Sequence, residues 1–174
     1  SSGRGTIMGK TILELVKENQ KFFGNDIVLT KVNGKLKELS NEEVNEQNVE
    51  FLTTASAVGN KTYKRSVVLM MLYSIYAISP RGSIKKLCIE YSISKGLYCS
   101  MKANFPIDNE FLRKVKGKML ETVEKDLPIN KFTVSTDEAI ARFEKYKMYD
   151  KVKLFKYRRS STVNMYNLDG FEDY

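Results

Sequence analysis

The chain has 174 residues, enough for one large domain or two small ones, and 42% of them are hydrophobic, so a sizeable core can form. Its 29 lysine and arginine residues outnumber the 21 acidic residues, and the net charge of +8 favours a partner that carries phosphate groups. Histidine is absent, which excludes catalytic sites that depend on imidazole and zinc sites ligated by histidine.

The two cysteines, Cys88 and Cys99, are too few for a disulfide framework, and their spacing of eleven residues does not fit a zinc site. We expect buried, unreactive thiols in a reducing compartment, close to each other across a hairpin. Residues 1–5 lack the apolar segment of a signal peptide, and the longest apolar run is too short to span a bilayer. These features predict a cytoplasmic protein without a membrane partner.

The first part of the chain has the pattern of a helix followed by a hairpin. Residues 11–22 have the apolar spacing of an amphipathic helix, and residues 26–32 alternate in polarity like a strand. Asn33-Gly34 is a strong signal for a tight hairpin turn, so we expect residues 35–39 to return as the partner strand.

A turn and another strand complete this part. Ser40 or Asn41 is placed to cap a brief helical piece within residues 40–45, and residues 49–52 have the composition of a strand. A helix, a hairpin, a turn and a strand in this order are typical of the tail of a ubiquitin-like β-grasp fold. The segment 53–61, which is rich in small residues, is the predicted domain boundary.

The longest apolar run in the chain, residues 62–78, predicts a helix that is buried on more than one side. Its last twelve residues carry no charge. Pro80-Arg81-Gly82 then ends the helix, and residues 86–91 and 97–101 have the pattern of a second hairpin with its turn at residues 94–96.

The last third of the chain alternates between helices and strands. Asp108 is placed to cap a helix over residues 109–125, and Ser135 and Glu138 form the pattern of a capping box after a strand over residues 129–134. The apolar stripe of the first of these helices consists of Phe111, Leu112, Val115, Met119, Leu120 and Val123. The remaining predicted elements are helices over 139–146 and 150–157, a polar loop over 158–161, and a strand over 163–168 that ends at a turn with Gly170.

Four phrases of the sequence resemble the N-terminal region of threonyl-tRNA synthetases. The hairpin phrase 89–98 is similar to the Ile-x-x-Gly-Phe-Tyr hairpin of that family, and similar phrases follow in the family's order at 119–128, 135–139 and 163–173. Together with the order of the predicted elements along the rest of the chain, these phrases make the resemblance specific.

This resemblance implies an α+β fold with two domains. Residues 6–54 would form a truncated β-grasp (TGS-like) domain whose first strands are missing. Residues 60–174 would form a two-layer α/β sandwich that resembles the editing domain of threonyl-tRNA synthetase and is truncated at its C-terminal end.

The editing motif of the family is absent from this sequence. Editing domains carry His-Ser-x-x-His on the long helix, where this chain has Arg65-Ser66-Val67-Val68-Leu69, and the downstream cysteine and histidine of the family would fall beyond Tyr174. The resemblance therefore implies no catalytic residue, no metal site and no editing hydrolase activity.

The Tyr63-x-Arg65-Ser66 form of the helix, with Gly96-Leu97-Tyr98-Cys99 in the hairpin, also resembles a segment in front of bacterial nucleoside kinases of the uridine kinase type. On this resemblance the chain is a non-catalytic regulatory or ligand-sensing region, and its partner is the C-terminal kinase domain of the same protein. ATP-dependent phosphoryl transfer, with ATP and magnesium, would belong to that kinase domain. No cofactor is expected in the region itself.

Four residues are the predicted remnant of the editing pocket: Tyr63, Arg65, Tyr98 and Asp173. Arg65 would pair with a phosphate and a tyrosine would stack on a base, so a small nucleotide is the candidate ligand. In the alternative interpretation, which the residue types favour, both tyrosines are core aromatics and Arg65 pairs with a carboxylate.

A second functional hypothesis is an RNA- or tRNA-binding module related to threonyl-tRNA synthetase. It would use a basic run with interleaved aromatic residues to follow a phosphate backbone. Most such runs are solvated helix faces, so the sequence alone favours the kinase-associated function. The residues of this run are Lys153, Phe155, Lys156, Tyr157, Arg158 and Arg159.

Overall fold

The structure, a computed structural model, describes residues 9–45, 48–91 and 96–174, with Tyr91 described in its backbone alone. Helices and small antiparallel sheets make up the described chain, which confirms the predicted α+β class. The chain divides into two compact units between Val67 and Val68. The predicted domain limits, 6–54 and 60–174, stay predictions.

The first unit begins with β1 (Lys10–Thr11), α1 (Ile12–Asn19), a 3₁₀ turn (Gln20–Phe22), β2 (Ile27–Val32), β3 (Lys35–Glu38), β4 (Glu43–Val44) and β5 (Val49–Thr53). Three strands form an antiparallel sheet in the order β3-β2-β5, and β1 pairs with β4. The core of this unit lies between α1 and β2. Its buried members are Ile12, Val16, Ile27 and Val32.

Local signals in the sequence explain the start of α1 and the first hairpin. The Thr11 hydroxyl accepts a hydrogen bond from the Glu14 amide, and the Glu14 carboxylate accepts one from the Thr11 amide at 2.9 Å, which forms a capping box. Asn33 and Gly34 adopt φ angles of 51° and 77°, as the tight turn between β2 and β3 requires. The predicted hairpin is confirmed.

The helical piece predicted within residues 40–45 is wrong, because these residues form no helix and Glu43–Val44 forms β4. The amides of Ile12 and Leu13 donate to the carbonyl oxygens of Glu42 and Ser40 at 2.9 and 3.1 Å. Backbone hydrogen bonds to the start of α1 therefore hold the segment in place of a helical turn.

Helix α2 (Ala57–Ile78) begins earlier than the predicted start at residue 62. The Ser56 hydroxyl accepts a hydrogen bond from the Gly59 amide at 3.0 Å and so caps the helix. In the second unit, Leu69, Leu72 and Ile75 of this helix are buried, as predicted for a core helix.

The second unit continues with β6 (Ile84–Tyr91), β7 (Leu97–Ala103), α3 (Asn109–Glu124), β8 (Ile129–Ser135), α4 (Thr136–Lys145), α5 (Tyr149–Lys156), β9 (Thr162–Leu168) and β10 (Phe171–Asp173). The strands β6 and β7 form a hairpin, and the other three form an antiparallel sheet in the order β10-β9-β8. The predicted turn of the β6–β7 hairpin, residues 94–96, lies mostly outside the described residues.

Two groups of buried side chains join these helices to the strands. One joins α2 and α3 to the β6–β7 hairpin, and the other joins α4 and α5 to β8 and β9. Phe143 of α4 and Phe155 of α5 stack in the second group with their ring centroids 5.4 Å apart. The first group includes Leu72, Ile75, Ile84, Leu87 and Val115, and the second includes Val134, Phe143, Val152, Phe155, Val163 and Met165.

The predicted apolar stripe of α3 is only partly buried. Asp108 caps the helix through the Phe111 amide at 2.9 Å, as predicted. Val115 is buried, whereas Leu112 and Leu120 are each 55% exposed. The helix buries the neighbouring side that contains Thr122, whose hydroxyl donates to the Lys118 carbonyl oxygen at 2.7 Å.

Two features of the C-terminal part differ from the sequence predictions. The turn with Gly170 ends β9 as predicted, but Phe171–Asp173, for which no element was predicted, returns as β10 and pairs with β9. The capping box before α4 is half formed. The Ser135 hydroxyl accepts from the Glu138 amide at 3.1 Å, but the Glu138 carboxylate accepts from Arg142 instead of reaching back.

The cysteines are less buried than predicted. Cys88 is half-buried and Cys99 is exposed, because Cys99 lies toward the end of the β6–β7 hairpin where Leu97 and Tyr98 are also exposed. Cys99 pairs in register with Ile89, so the two thiols are on adjacent pairs and do not face each other. Partial burial raises the pKa of both thiols, so they stay protonated at neutral pH.

Within residues 9–45, 48–91 and 96–174, no helix is long and apolar enough to cross a membrane.

The close approach of α2 to Thr53 gives a test of the fold. A Cβ at Gly59 would clash with the Thr53 carbonyl oxygen and lie 2.8 Å from the Ser56 hydroxyl, whereas a Cβ at Gly117 of α3 would meet nothing within 4 Å. We expect Gly59→Ala to destabilise the first unit by about 1–3 kcal/mol. The matched control Gly117→Ala should stabilise α3 by up to about 1 kcal/mol, because alanine favours a helix. Urea unfolding measures the stability of both variants. If Gly59→Ala and Gly117→Ala changed the stability equally, the steric role assigned to Gly59 would be wrong.

Candidate functional site

The four predicted pocket residues are divided between the two units. Tyr63 and Arg65 lie on α2 in the first unit, and Tyr98 and Asp173 lie on β7 and β10 in the second. Tyr63 is 48% exposed and Tyr98 is 62% exposed, so the interpretation of both as core aromatics is wrong. Arg65 has no ion pair in the part of the chain that the structure describes, so its predicted pairing with a carboxylate is also wrong. Their use as a ligand pocket stays a prediction.

Asp173 belongs instead to a set of acidic residues on the β9–β10 hairpin that bind three different helices. The acidic residue in the turn accepts from a tyrosine of α2, and the two acidic residues of β10 accept from an arginine of α4 and a lysine of α5. Sequence analysis did not find these partners. The pairs are Asp169 with Tyr73 at 2.8 Å, Glu172 with Arg142 at 2.8 and 3.0 Å, and Asp173 with Lys151 at 2.6 Å.

The pair of Asp173 and Lys151 is the most buried of the three. Asp173 is 2% exposed and Lys151 is 9% exposed, and the lysine ammonium donates to both carboxylate oxygens at 2.6 Å. The Tyr174 amide also donates to Asp173 at 2.8 Å. The ammonium of Lys151 and the guanidinium of Arg158 lie 5.1 and 5.3 Å from the centre of the Tyr174 ring. We call Lys151, Arg158, Asp173 and Tyr174 the Asp173 cluster.

The electrostatics of the Asp173 cluster do not favour acid–base or nucleophilic catalysis. Both oxygens of the Asp173 carboxylate already accept hydrogen bonds from Lys151, so this carboxylate is engaged within the fold. Burial, followed by the charges of Asp150 and Asp173, raises the pKa of Tyr76, and burial raises the pKa of Cys88. The phenol of Tyr76 and the thiol of Cys88 therefore stay protonated at neutral pH. The described residues contain no cluster of acidic residues and cysteines that could hold a metal ion.

A second candidate site lies on the outward side of α5. Tyr149 is 63% exposed and Tyr157, which follows the helix, is 81% exposed. Lys153 and Lys156 are exposed between them, and the spacing i, i+4, i+7, i+8 places all four residues on one side. Neither lysine has an ion-pair partner within the described parts of the chain. We call these four residues the tyrosine–lysine face.

This face differs from the basic run predicted from the sequence. Phe155 is 1% exposed, so it belongs to the core and cannot contact a ligand. The Arg158 guanidinium lies over the rings of Phe155 and Tyr174, at 4.8 and 5.3 Å from their centres. Tyr149 was missed, although its spacing of eight residues from Tyr157 is a helical signal that could have found it.

Comparison with known proteins relates the whole chain to one group of enzymes, although no family model matches it. It is 24% identical to a threonine–tRNA ligase of Desulforamulus reducens over 173 residues, which are 99% of this chain and 27% of that protein. It is 29% identical over 146 residues to that of Carboxydothermus hydrogenoformans, covering 84% of this chain and 23% of the relative. A threonine–tRNA ligase of Clostridium kluyveri is also 29% identical, over 143 residues, 82% of this chain and 22% of the relative.

These relatives support the predicted resemblance to threonyl-tRNA synthetases. The chain spans about a quarter of the length of the curated relatives that it matches. None of the three relatives named above is a nucleoside kinase, so they give no support to the kinase resemblance.

The buried pair predicts a large effect of single substitutions. We expect Lys151→Met or Asp173→Asn to destabilise the second unit by about 3–5 kcal/mol, because each leaves a buried charge without its partner. The double variant should cost much less than the sum of the two. The exposed pair of Lys125 and Glu121, at 2.6 Å, is the control, and Glu121→Gln should change the stability far less. Urea unfolding measures these losses of stability. Equal losses on breaking the buried pair and the exposed pair would contradict the prediction.

The contact between Tyr73 and Asp169 predicts a loss of stability at high pH. Burial, the hydrogen bond and the charge of Asp169 raise the pKa of Tyr73 from 10.0 to about 12. The unfolded chain therefore loses this proton first, and the stabilisation, complete below pH 10, falls as the pH rises to about 12. We expect Tyr73→Phe to remove this part of the pH dependence, and the exposed Tyr157→Phe to leave it. The midpoint of urea unfolding, measured at a series of pH values across this range, gives the pH dependence of the stability. If the native protein and Tyr73→Phe showed the same dependence, the assignment to Tyr73 would be contradicted.

Proposed function

We propose that this chain is an RNA-binding module related to part of a threonyl-tRNA synthetase, with tRNA as the class of RNA. The observation that carries the proposal is the tyrosine–lysine face, where two exposed tyrosines flank two exposed lysines without ion-pair partners in the described chain. The relatives named above are threonine–tRNA ligases, which favours tRNA among the nucleic acids.

The charge of the chain supports an RNA partner. Lysines that have no carboxylate partner can neutralise phosphates without first breaking an internal ion pair, and the counterions that they displace drive binding. Lys153 and Lys156 meet this condition, and Arg159 adds a third exposed cation in the loop after α5. The net charge of +8 favours the approach of a polyanion.

Two other functions have less support. An editing hydrolase of the family type would need imidazole groups, and the chain has no histidine. A regulatory region of a uridine kinase would have a C-terminal kinase domain that uses ATP and magnesium as its partner, and it would sense a small nucleotide at Tyr63 and Arg65. The sequence alone favoured that function, but the three relatives favour the synthetase-related one.

Salt dependence gives a direct test of RNA binding by α5. We expect the chain to bind tRNA, and the double variant Lys153→Gln/Lys156→Gln to bind it more weakly. The slope of log affinity against log salt concentration should fall in magnitude by about 1.5, because two phosphate contacts are lost. Fluorescence anisotropy with labelled tRNA in a series of KCl concentrations measures both quantities.

The matched control removes the same charge from another helix. Lys114→Gln/Lys116→Gln on α3 should leave the slope close to that of the native chain. Equal effects of the two double variants would contradict the placement of the site on α5. A melting temperature raised by a uridine nucleotide, and not raised in Arg65→Ala, would favour the kinase-associated function instead.

A further inference from the structure

We propose that the tyrosine–lysine face binds a single-stranded segment of RNA, with one base stacked on Tyr149 and another on Tyr157. Lys153 and Lys156 contact the phosphates of the nucleotides between these bases. The inference rests on the proposed RNA-binding function and adds the class of RNA structure that the site recognises.

The exposure of the tyrosine rings is the first argument. Tyr149 and Tyr157 are 63% and 81% exposed, and neither ring contacts another aromatic ring in the described chain. Exposed ring faces of this kind form the stacking platforms of proteins that bind single strands. Bases inside a duplex are covered by their neighbours, so a duplex offers these rings little to stack on.

The spacing of the rings is the second argument. Eight helical positions separate Tyr149 from Tyr157, which is about 12 Å along the axis of α5. Consecutive stacked bases are only about 3.4 Å apart. The two rings therefore fit bases that are spread apart, which an unpaired strand permits and a regular duplex does not.

The position of the lysines completes the arrangement. Lys153 and Lys156 lie between the two tyrosines along the helix, where the backbone of a strand stacked at both ends would pass. The helix contains one acidic residue, Asp150, which lies close enough to Tyr76 and Tyr174 to raise their pKa values. Cations outnumber anions along this side, as contact with a phosphate backbone requires.

The opposite side of α5 holds the face in one orientation. Lys151 pairs with Asp173, and Phe155 stacks on Phe143 with 5.4 Å between ring centroids. Val152 is buried in the same group. Because the helix is fixed before RNA binds, little ordering of the backbone opposes binding.

The test compares an oligouridine with an RNA duplex of the same length, using the 174-residue chain in fluorescence anisotropy. We expect the single strand to bind more tightly than the duplex. Tyr149→Leu/Tyr157→Leu should weaken single-strand binding by about thirtyfold or more, because both stacking surfaces are removed. The salt slope should not change, since no phosphate contact is removed. The control Tyr149→Phe/Tyr157→Phe keeps both rings and should retain the affinity.

The outcomes separate this inference from the proposed function. Equal binding of duplex and single strand, with no effect of the leucine variant but a clear effect of Lys153→Gln/Lys156→Gln, would overturn the inference and leave the RNA-binding function standing. Absence of binding to tRNA, oligouridine and duplex at low salt would overturn the RNA-binding function itself. Circular dichroism melting curves check that the leucine variant, changed only at exposed positions, remains folded.

Discussion

The ion pair between Lys151 and Asp173 is the interaction on which the arrangement of the second unit's C-terminal end depends. Neither charge can be buried without the other, so the pair fixes the β9–β10 hairpin to α5. Asp169 and Glu172 hold the same hairpin to α2 and α4. The Asp173 carboxylate thus fixes the rotation of α5 and, with it, which of its residues face outward, while the other two carboxylates hold the hairpin in place.

The same helix uses lysine in two ways. Lys151 is compensated inside the unit, whereas Lys153 and Lys156 are left uncompensated outside it. The internal charges of Lys151 and Asp173 neutralise each other, and the Tyr76 phenol and the Cys88 thiol stay protonated. This region therefore has the properties of a scaffold rather than of a catalytic centre. The external charges are available to a polyanion, and this difference is the physical basis for proposing binding without catalysis.

The elements that the sequence predicted correctly are those whose signals are local. Asn33-Gly34 specifies a turn, and Asp108 caps a helix, without help from distant residues. The strand β4 was missed because two residues show no periodicity, and the early start of α2 because small residues resemble a linker, although Ser56 is a capping residue. The partners of the hairpin's acidic residues are distant in sequence, so no local pattern reveals them. The burial of Lys151 had a weak signal, its helical spacing from Phe155.

One side of α5 packs against the core and the other side faces solvent, and this separation affects how the protein can evolve. Substitutions at the four outward positions alter the surface without disturbing the packing of Phe155 or the charge balance of Asp173. Affinity for a partner can therefore drift, strengthen or disappear in a lineage while the fold persists. Close homologues with the same core are therefore able to differ along the tyrosine–lysine face without losing the fold.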